Sequence, residues 1–548
     1  MNKETRRIRT GVANATCAAA VFCSGLLATS AAMAQAFADQ PSAGNASELV
    51  DYTRAEHAAK VSCSDLAKFR DKDLAEIQAI EVPAAAGVPK YCRVSGTIKP
   101  EVAFEVSLPD PWNGRFYMIG NGGHAGESLA DPGRTSQRDA ALKMGFAFAQ
   151  TNTGHDSRKE PGASFVMSDP QKAIDYAYRA VHETASTGKD ILKRFYAQPA
   201  KHSYWNSCSN GGRQGLLEAQ RYPQDFDGLL VNAPWSDQTG FTLGAMWNQR
   251  AMAAAPLSPA KLALLSARVM ETCDAVDGLK DGLIDDPRNC RFDAHQHVPA
   301  CAAGTDGPDC LTSAQADAVM KVYGGPVSRG KPLFPGFMPG SEAVTAAAFG
   351  GNAPPASAWL GMIVPAQPGA RSADYGLAEG TMKFLVHTPP QPEYDPATFD
   401  FDRDVSMLDA WGAKANAKST DLGALRKRGG KIIMTYGWSD QILQPMMGVN
   451  YYESVAKRFG AKTGDFVRLF MVPGMTHCAG GIGTDNFDAM TALINWVEKG
   501  KAPDSLVAKR IVDGSVVRTR PLCPYPQVAR HSGSGSIDEA ANFRCTTP

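Results

Sequence analysis

No Cys-x-x-Cys pair occurs among the twelve cysteines of this 548-residue chain, which removes the usual framework of a structural zinc site. Nor does either charge predominate. Lysine and arginine number 56, as do aspartate and glutamate, for a formal net charge of zero; a nucleic-acid partner would call for a basic excess or stripe. Past the N-terminus no run of about 18 apolar residues occurs, so no membrane span is expected in the mature chain. Internal repeats and low-complexity tracts are also lacking. What is there is 44% hydrophobic residues, a globular composition long enough for one large domain with an insertion, or for two domains.

The first 34 residues read as an export signal. Lys3, Arg6, Arg7 and Arg9 are basic, Val12 to Ala32 is apolar and small, and Ala32-Met33-Ala34 fits a cleavage site before Gln35. A secreted or periplasmic location follows. Removing that segment takes Cys17 and Cys23 from the twelve and leaves ten cysteines, an even number that points to disulfides in an oxidising compartment. Sequence does not fix connectivity, but short spacings suggest Cys63–Cys92, Cys273–Cys290, Cys301–Cys310 and Cys523–Cys545. Cys208 and Cys478 are then left for each other.

Short apolar runs alternating with helical patterns predict an α/β fold with a mainly parallel sheet. Strands are expected at 102–108, 115–119, 146–151, 203–206 and 229–232, with helices over 169–196 and 211–221. From about Trp235 to Asp421 the chain is rich in Ala, Pro and Gly with broken helical stretches, which reads as an inserted lid. Strands resume at 431–436 and 466–472, a helix at 488–499, and the tail from Leu506 is expected to close the sheet. The division is therefore signal 1–34, first core part 35–234, lid 235–421 and second core part 422–548.

Three polar residues follow predicted strands. Ser209 stands in Ser207-Cys208-Ser209-Asn210-Gly211-Gly212, Asp440 in Gly437-Trp438-Ser439-Asp440, and His477 in Thr476-His477-Cys478-Ala479-Gly480-Gly481. A serine hydroxyl needs a base to take its proton, and the base needs a third group to hold its tautomer. The order Ser, Asp, His is that of α/β-hydrolases. The serine turn departs from G-x-S-x-G, with Ser207 in place of the first glycine, and Ser209 alone would pass for an ordinary helix N-cap. Acyl transfer also requires oxyanion donors; the backbone N–H of Asn210 and that of Gly123, in the turn 120–126, are the candidates. That turn would equally suit a hairpin. His124, beside it, and Tyr436, four residues before Asp440, are candidates to face a substrate.

Cysteines adjacent to both the serine and the histidine, together with the Gly-rich turn, Cys-Ser-Asn-Gly-Gly, Gly-Trp-Ser-Asp and His-Cys-Ala-Gly-Gly, resemble the tannase and feruloyl esterase family over nearly the whole mature chain. The resemblance implies an α/β-hydrolase core with a large lid, and a serine esterase using Ser209, His477 and Asp440 on a small ester of an aromatic acid. Feruloyl or galloyl esters are the broad expectation, terephthalate monoesters the alternative. It also sharpens the acidic stretch Cys273–Asp286, whose aspartates alternate with glycines without the spacing of an EF-hand. The resemblance implies a structural Ca²⁺ there, held by the side chains of Asp274, Asp277 and Asp281 and the carbonyls of Leu279 and Leu283, with no organic cofactor. In the later lid, Trp359, Arg371, Tyr375 and Phe384 resemble the aromatic walls and carboxylate-gripping arginine of such a pocket. Two other classes compete: a non-catalytic, calcium-stabilised polyphenol- or carbohydrate-binding protein on the same scaffold, and a serine peptidase.

Overall fold

The structure, a computed structural model, describes residues 49–345, 356–367 and 369–548; the expected export signal lies outside these. Nine strands form one sheet: β1 (Leu74–Val82), β2 (Tyr91–Ile98), β3 (Val102–Pro109), β4 (Arg115–Met118), β5 (Ala147–Thr151), β6 (His202–Cys208), β7 (Gly228–Asn232), β8 (Lys431–Gly437) and β9 (Val467–Val472), in the order β1-β2-β3-β5-β4-β6-β7-β8-β9. From β5 to β9 all neighbours are parallel. The first three strands are an antiparallel meander that joins β5 antiparallel. β1 and β2 are not among the expected strands; β1, at the sheet edge, has an irregular, largely exposed pattern with no two-residue period to find.

β4, β5 and β7 are buried at every position, as a parallel sheet covered on both faces requires. Successive residues feed opposite cores. Phe116 and Met118 pack with Leu229, Val231 and Ile432, while Tyr117 and Ile119 pack with Leu230, Ile433 and Phe470. α1 (Pro132–Lys143), α2 (Ala180–Tyr196) and α3 (Asn210–Arg221) follow β4, β5 and β6. The single helix expected over 169–196 is interrupted: residues Asp175–Arg179 form a π-helical turn before α2.

β7 and β8 are adjacent and parallel, with Leu229 opposite Ile432, although some 200 residues separate them. The intervening chain contains α4 (Gln238–Ala254), α5 (Pro259–Cys273), α6 (Ser313–Gly324) and α7 (Ala373–Gly380). Its two ends are pinned together: Ala417 N–H donates to the Ser236 carbonyl at 2.8 Å, and Asn416 Nδ2 to Asp237 Oδ1 at 3.0 Å. A long excursion thereby leaves and returns at one point without disturbing strand register. Part of it has its own core, with Leu262, Leu265, Val269, Val319, Val322, Trp359 and Ile363 buried together.

After α8 (Pro445–Phe459) and α9 (Ala489–Lys499), the tail does not close the sheet as expected. It folds on itself as two separate ribbons, β10 (Leu506–Val512) with β11 (Ser515–Leu522) and β12 (Val528–His531) with β13 (Phe543–Thr546). Its pairing with edge strand β9 is limited to an isolated bridge from Phe470 to Pro524, where Tyr525 N–H donates to the Leu469 carbonyl at 2.7 Å. Pro521, Pro524 and Pro526 lack the N–H groups that a strand pairing with β9 would need.

Candidate active site

Ser209 sits at the β6–α3 junction with φ 62° and ψ −125°, a backbone conformation that costs a non-glycine residue about 1–3 kcal/mol. Three main-chain bonds hold it there. Its N–H donates to the Asn232 carbonyl at 3.0 Å, and its own carbonyl accepts from Arg213 N–H at 3.1 Å and Trp235 N–H at 3.0 Å. The absent glycine at 207 is explained by the one at 211. A Cβ on Gly211 would lie 1.9 Å from Ser207 Oγ, and one on Gly212 2.7 Å from the Asn232 carbonyl. Ser207 fits because the helix start opposite it is bare.

Asp440 and His477 are in contact. His477 Nδ1 lies 2.8 Å from Asp440 Oδ2, and the other carboxylate oxygen accepts from the N–H groups of Ile442 at 2.9 Å and Leu443 at 2.8 Å. Both residues are buried. An ionised carboxylate offers only acceptors, so Nδ1 carries the proton and Nε2 is left as the acceptor nitrogen. His477 N–H donates to Gln441 Oε1 at 3.1 Å, which fixes the loop. Ser209 Oγ and His477 are not hydrogen-bonded to each other, and such bonds are commonly long before substrate arrives.

The four cysteine pairs suggested by spacing are bonded, and so is the remaining pair, Cys208–Cys478. Cys208 and Cys478, immediately beside Ser209 and His477, have Cα atoms 6.0 Å apart across 270 residues of chain. Closing so long a loop corresponds to about 5 kcal/mol in the chain-entropy account, an upper bound. The bond also has a positional effect that activity reads separately from stability: the Cys208→Ala/Cys478→Ala double variant is expected to lose about 100-fold in kcat/KM for an aryl ester, at temperatures where circular dichroism shows it folded. Full activity in that variant would reduce the bond to a staple.

The Gly-rich turn is a strand-to-helix connection from β4 to α1, not a hairpin. It lies against the start of α3, since a Cβ on Gly211 would be 3.1 Å from Asn121 N and one on Gly120 2.8 Å from Gly211 Cα. Gly123 has φ +43°. Much of the turn is tied, but the N–H groups of Gly123 and His124 have no acceptor among the described residues. Asn121 N–H donates to Gln214 Oε1 at 3.0 Å and Gly122 N–H to Glu127 Oε1 at 2.5 Å, and the Gly123 carbonyl accepts from Tyr176 Oη at 3.0 Å. The Gly123 and Asn210 N–H groups have no acceptor among the described residues.

His124 is buried, 3.0 Å from Thr381 Oγ1 through Nε2, with the rings of Trp235 and Tyr176 beside it. Burial, then the nearby His155 and Arg213, push its pKa down to about 3, so it stays neutral. Among the residues expected at the substrate, Trp359 is fully enclosed in the insertion's own core and donates to Ser341 Oγ at 3.0 Å, which makes it a packing residue rather than a pocket wall. Tyr436 is also fully buried, in β8, its hydroxyl without a partner among the described residues. Phe384 is partly buried against the main core. Arg371 is exposed and ion-paired to Glu379, which Lys383 also contacts at 2.8 Å; Tyr375 lies beneath its guanidinium. α7, carrying Tyr375 and Glu379, packs on the Gly-rich turn: a Cβ on Gly380 would lie 3.3 Å from His124 Cε1.

In the acidic loop, Asp274 Oδ1 accepts from Asp281 N–H at 3.1 Å and Gly282 N–H at 3.0 Å, and Asp277 Oδ1 from Leu279 N–H at 2.9 Å. Asp281 pairs with Arg520 of the tail at 2.5 Å. Asp285, outside the expected ligand set, is buried beside Asp277; burial and that neighbour raise its pKa to about 7. The tight clusters of His, Cys and acidic groups among the described residues lie elsewhere: the Cys208–Cys478 bond with His477, and His182, Glu218 and Asp225. The latter is a network with His182 Nδ1 2.6 Å from Asp225 Oδ2 and Lys189 close by.

A family model described as "Tannase and feruloyl esterase" matches residues 85–546. The chain is 35% identical over 528 residues to the mono(2-hydroxyethyl) terephthalate hydrolase of Piscinibacter sakaiensis, covering 85% of this chain and 86% of that protein. It is 31% identical to a probable feruloyl esterase of Arthroderma benhamiae, covering 81% and 82%. Among solved structures, feruloyl esterase B from Aspergillus oryzae superposes with a TM-score of 0.72 at 26% identity, covering 88% of this chain and all of that one. Tannin acyl hydrolase from Aspergillus niger shares the fold, with a TM-score of 0.68 at 18% identity over 94% and 95%.

Proposed function

This chain belongs to the tannase and feruloyl esterase family, and on that premise we propose that it is an exported serine esterase cleaving esters of aromatic acids. Membership makes it a carboxylic ester hydrolase of the α/β-hydrolase type. The observation that carries the catalytic reading is the strained Ser209 turn, joined through Cys208–Cys478 to the loop whose His477 is oriented by Asp440. In this reading His477 Nε2 takes the Ser209 proton, Ser209 Oγ attacks the ester carbonyl, and the Gly123 and Asn210 N–H groups hold the oxyanion. The protonated histidine then gives its proton to the departing alcohol, and water, activated by the same base, releases the acid. The insertion over 235–421 acts as the lid. Five disulfides support an oxidising compartment, and among the described residues no helix is long and apolar enough to cross a membrane.

Two substrate classes are in contention. Feruloyl or galloyl esters suit the family as a whole. A terephthalate monoester is the second reading, favoured by the 35% identity to a hydrolase of that class and by an exposed guanidinium at the head of α7. Glu379 neutralises that guanidinium, so a substrate carboxylate must displace it. The test is kcat/KM for methyl ferulate, methyl gallate and mono(2-hydroxyethyl) terephthalate, in wild type and Arg371→Ala. A loss of about tenfold or more confined to the terephthalate ester assigns Arg371 to carboxylate recognition; equal values across all three remove it. Cleavage of matched aryl amides in preference to esters would overturn the esterase reading for a peptidase.

We further propose a structural calcium ion in the loop 274–285. Asp277, half-buried, and Asp285, buried, are neighbouring carboxyl groups, and the carbonyls of Leu279 and Leu283 accept no hydrogen bond from the described residues. Oxygen donors of this kind fit a hard cation, which would also close the loop that Cys273–Cys290 spans. Chelation with EDTA is expected to lower the melting temperature by several degrees and added Ca²⁺ to restore it, with Asp274→Ala insensitive to both. An unchanged melting curve would remove the ion.

A further inference from the structure

We infer that Tyr176 is a positioning residue for acyl transfer, aiming the oxyanion peptide at Gly123 through a directed hydrogen-bond chain that begins in the insertion. The inference rests on the esterase reading above and concerns a residue that reading does not use.

The direction of the chain follows from what each group is able to donate. The Trp411 indole N–H donates only, and it bonds Gln238 Oε1 at 3.0 Å. That fixes the amide so that Gln238 Nε2 faces the other way, where it donates to Tyr176 Oη at 2.6 Å. The phenol oxygen thus accepts from Gln238 and its single proton goes onward. Two acceptors are near: the Gly123 carbonyl at 3.0 Å and Asn210 Oδ1 at 3.4 Å. Asn210 Oδ1 is already engaged by Arg213 Nε at 2.7 Å, so the Gly123 carbonyl is the better recipient. Tyr176, Gln238 and Trp411 are all buried, where an unsatisfied member is costly and a satisfied chain is stiff.

The result is a clamp on one dipeptide. Glu127 takes the Gly122 N–H and Tyr176 bonds the Gly123 carbonyl, so the peptides on either side of the one carrying the Gly123 N–H are held. That middle peptide is tied through its Gly122 carbonyl to Ala125 N–H at 2.7 Å, and the Gly123 N–H has no acceptor among the described residues. Gly123, at φ +43°, does not by itself fix the angle between that peptide and the next, which the Tyr176 bond sets. Tyr176 reaches it from the π-helical turn Asp175–Arg179; such local widenings often mark functional sites. The Arg213 guanidinium lies 5.0 Å from the centre of the Tyr176 ring and also bonds the Tyr176 carbonyl at 3.2 Å. Gln238 opens the insertion and Trp411 lies near its end. The segment's two ends therefore meet behind the oxyanion loop, and the insertion completes the catalytic centre as well as flanking it.

A tyrosine kept only for packing would change stability or KM. One that aims an oxyanion donor acts on the transition state. Tyr176→Phe is therefore expected to lower kcat on an aryl ester by about 10- to 100-fold with KM within about twofold, and to weaken phenylboronic acid, which forms a tetrahedral adduct on the serine, by a similar factor. Inhibition by the free aromatic acid should not change. Gln238→Met keeps the phenol but not its direction, and is expected to show a smaller loss of the same kind. A folded Tyr176→Phe protein with wild-type kcat, or a loss confined to KM, would overturn the inference. If Tyr176→Phe does not fold, Gln238→Met decides by the same criterion. Ser209-independent hydrolysis, or none at all in the wild type, would instead bring down the esterase reading and this inference with it.

Discussion

Ser209→Ala is expected to lower kcat for hydrolysis of an aryl ester by about 10⁵-fold while leaving KM within a few-fold of wild type. The serine is the only atom source for the acyl-enzyme in the proposed reaction, so nothing in the site replaces it. Oxyanion donors and substrate contacts survive the change, and they set a small residual rate over water. The backbone argument bears on stability as well. Alanine at φ 62° and ψ −125° carries the same strain as serine, so the melting temperature should scarcely move. The measurement is a burst assay with p-nitrophenyl acetate together with labelling by a serine-directed phosphonate. Wild type should show both burst and adduct, the variant neither. Retained turnover at a tenth of the wild-type rate would rule out Ser209 as the nucleophile and revive the non-catalytic binding scaffold.

Asp440→Asn should cost about 10⁴-fold in kcat, and the surroundings of the carboxylate say why the loss is so large for an exchange of one atom type. Asp440 Oδ1 accepts from two main-chain N–H groups, Ile442 and Leu443. An asparagine must present its carbonyl oxygen to that pair, because its amide nitrogen has only donors to offer. Its NH₂ group then faces His477 Nδ1, 2.8 Å away in the native protein. Facing a donor, Nδ1 gives up its proton and becomes the acceptor, and the proton resides on Nε2. The imidazole is then in the wrong tautomer to receive a proton from Ser209. Geometry, burial and KM should be nearly unchanged, which separates this loss from unfolding. Nitrogen-15 chemical shifts of the His477 ring would report the exchange of protonated nitrogens directly. A drop of less than tenfold would place the orienting group elsewhere.

Much of this site is legible in the sequence, and particular residues show why. Ser209, Asp440 and His477 each follow an apolar run, and each is marked by neighbours that sit within a few residues: the glycines at 211 and 212, the Gly-Trp-Ser turn, the cysteines at 208 and 478. Such signals are short-range. Spacing suggests four of the disulfide pairs and leaves Cys208 and Cys478 for each other. Trp359 misleads for the converse reason. An aromatic in an irregular segment looks the same in sequence whether it lines a pocket or fills a core, and here it is enclosed with Tyr323 and Ile363. The tail misleads because its strands alternate as sheet strands do, while the proline pattern that bars them from the edge of β9 matters only once the partner is known.

Residue order and type determined the fold class, the order of the proposed triad, the cysteine pairs and the acidic loop, because each depends on periodicity or on chemistry confined to a few positions. Tertiary structure alone decided how the proposed oxyanion loop, 120–126, is held. Glu127 is close in sequence to the turn, yet nothing local assigns its role. Gln214 lies 93 residues from Asn121, Tyr176 is 53 from Gly123, and Gln238 is 173 from Trp411. In sequence, any of these polar side chains passes for an ordinary surface or helix residue. What distinguishes them is the direction in which each hydrogen bond must run once water is excluded, and that direction exists only when donors and acceptors from distant parts of the chain are buried together.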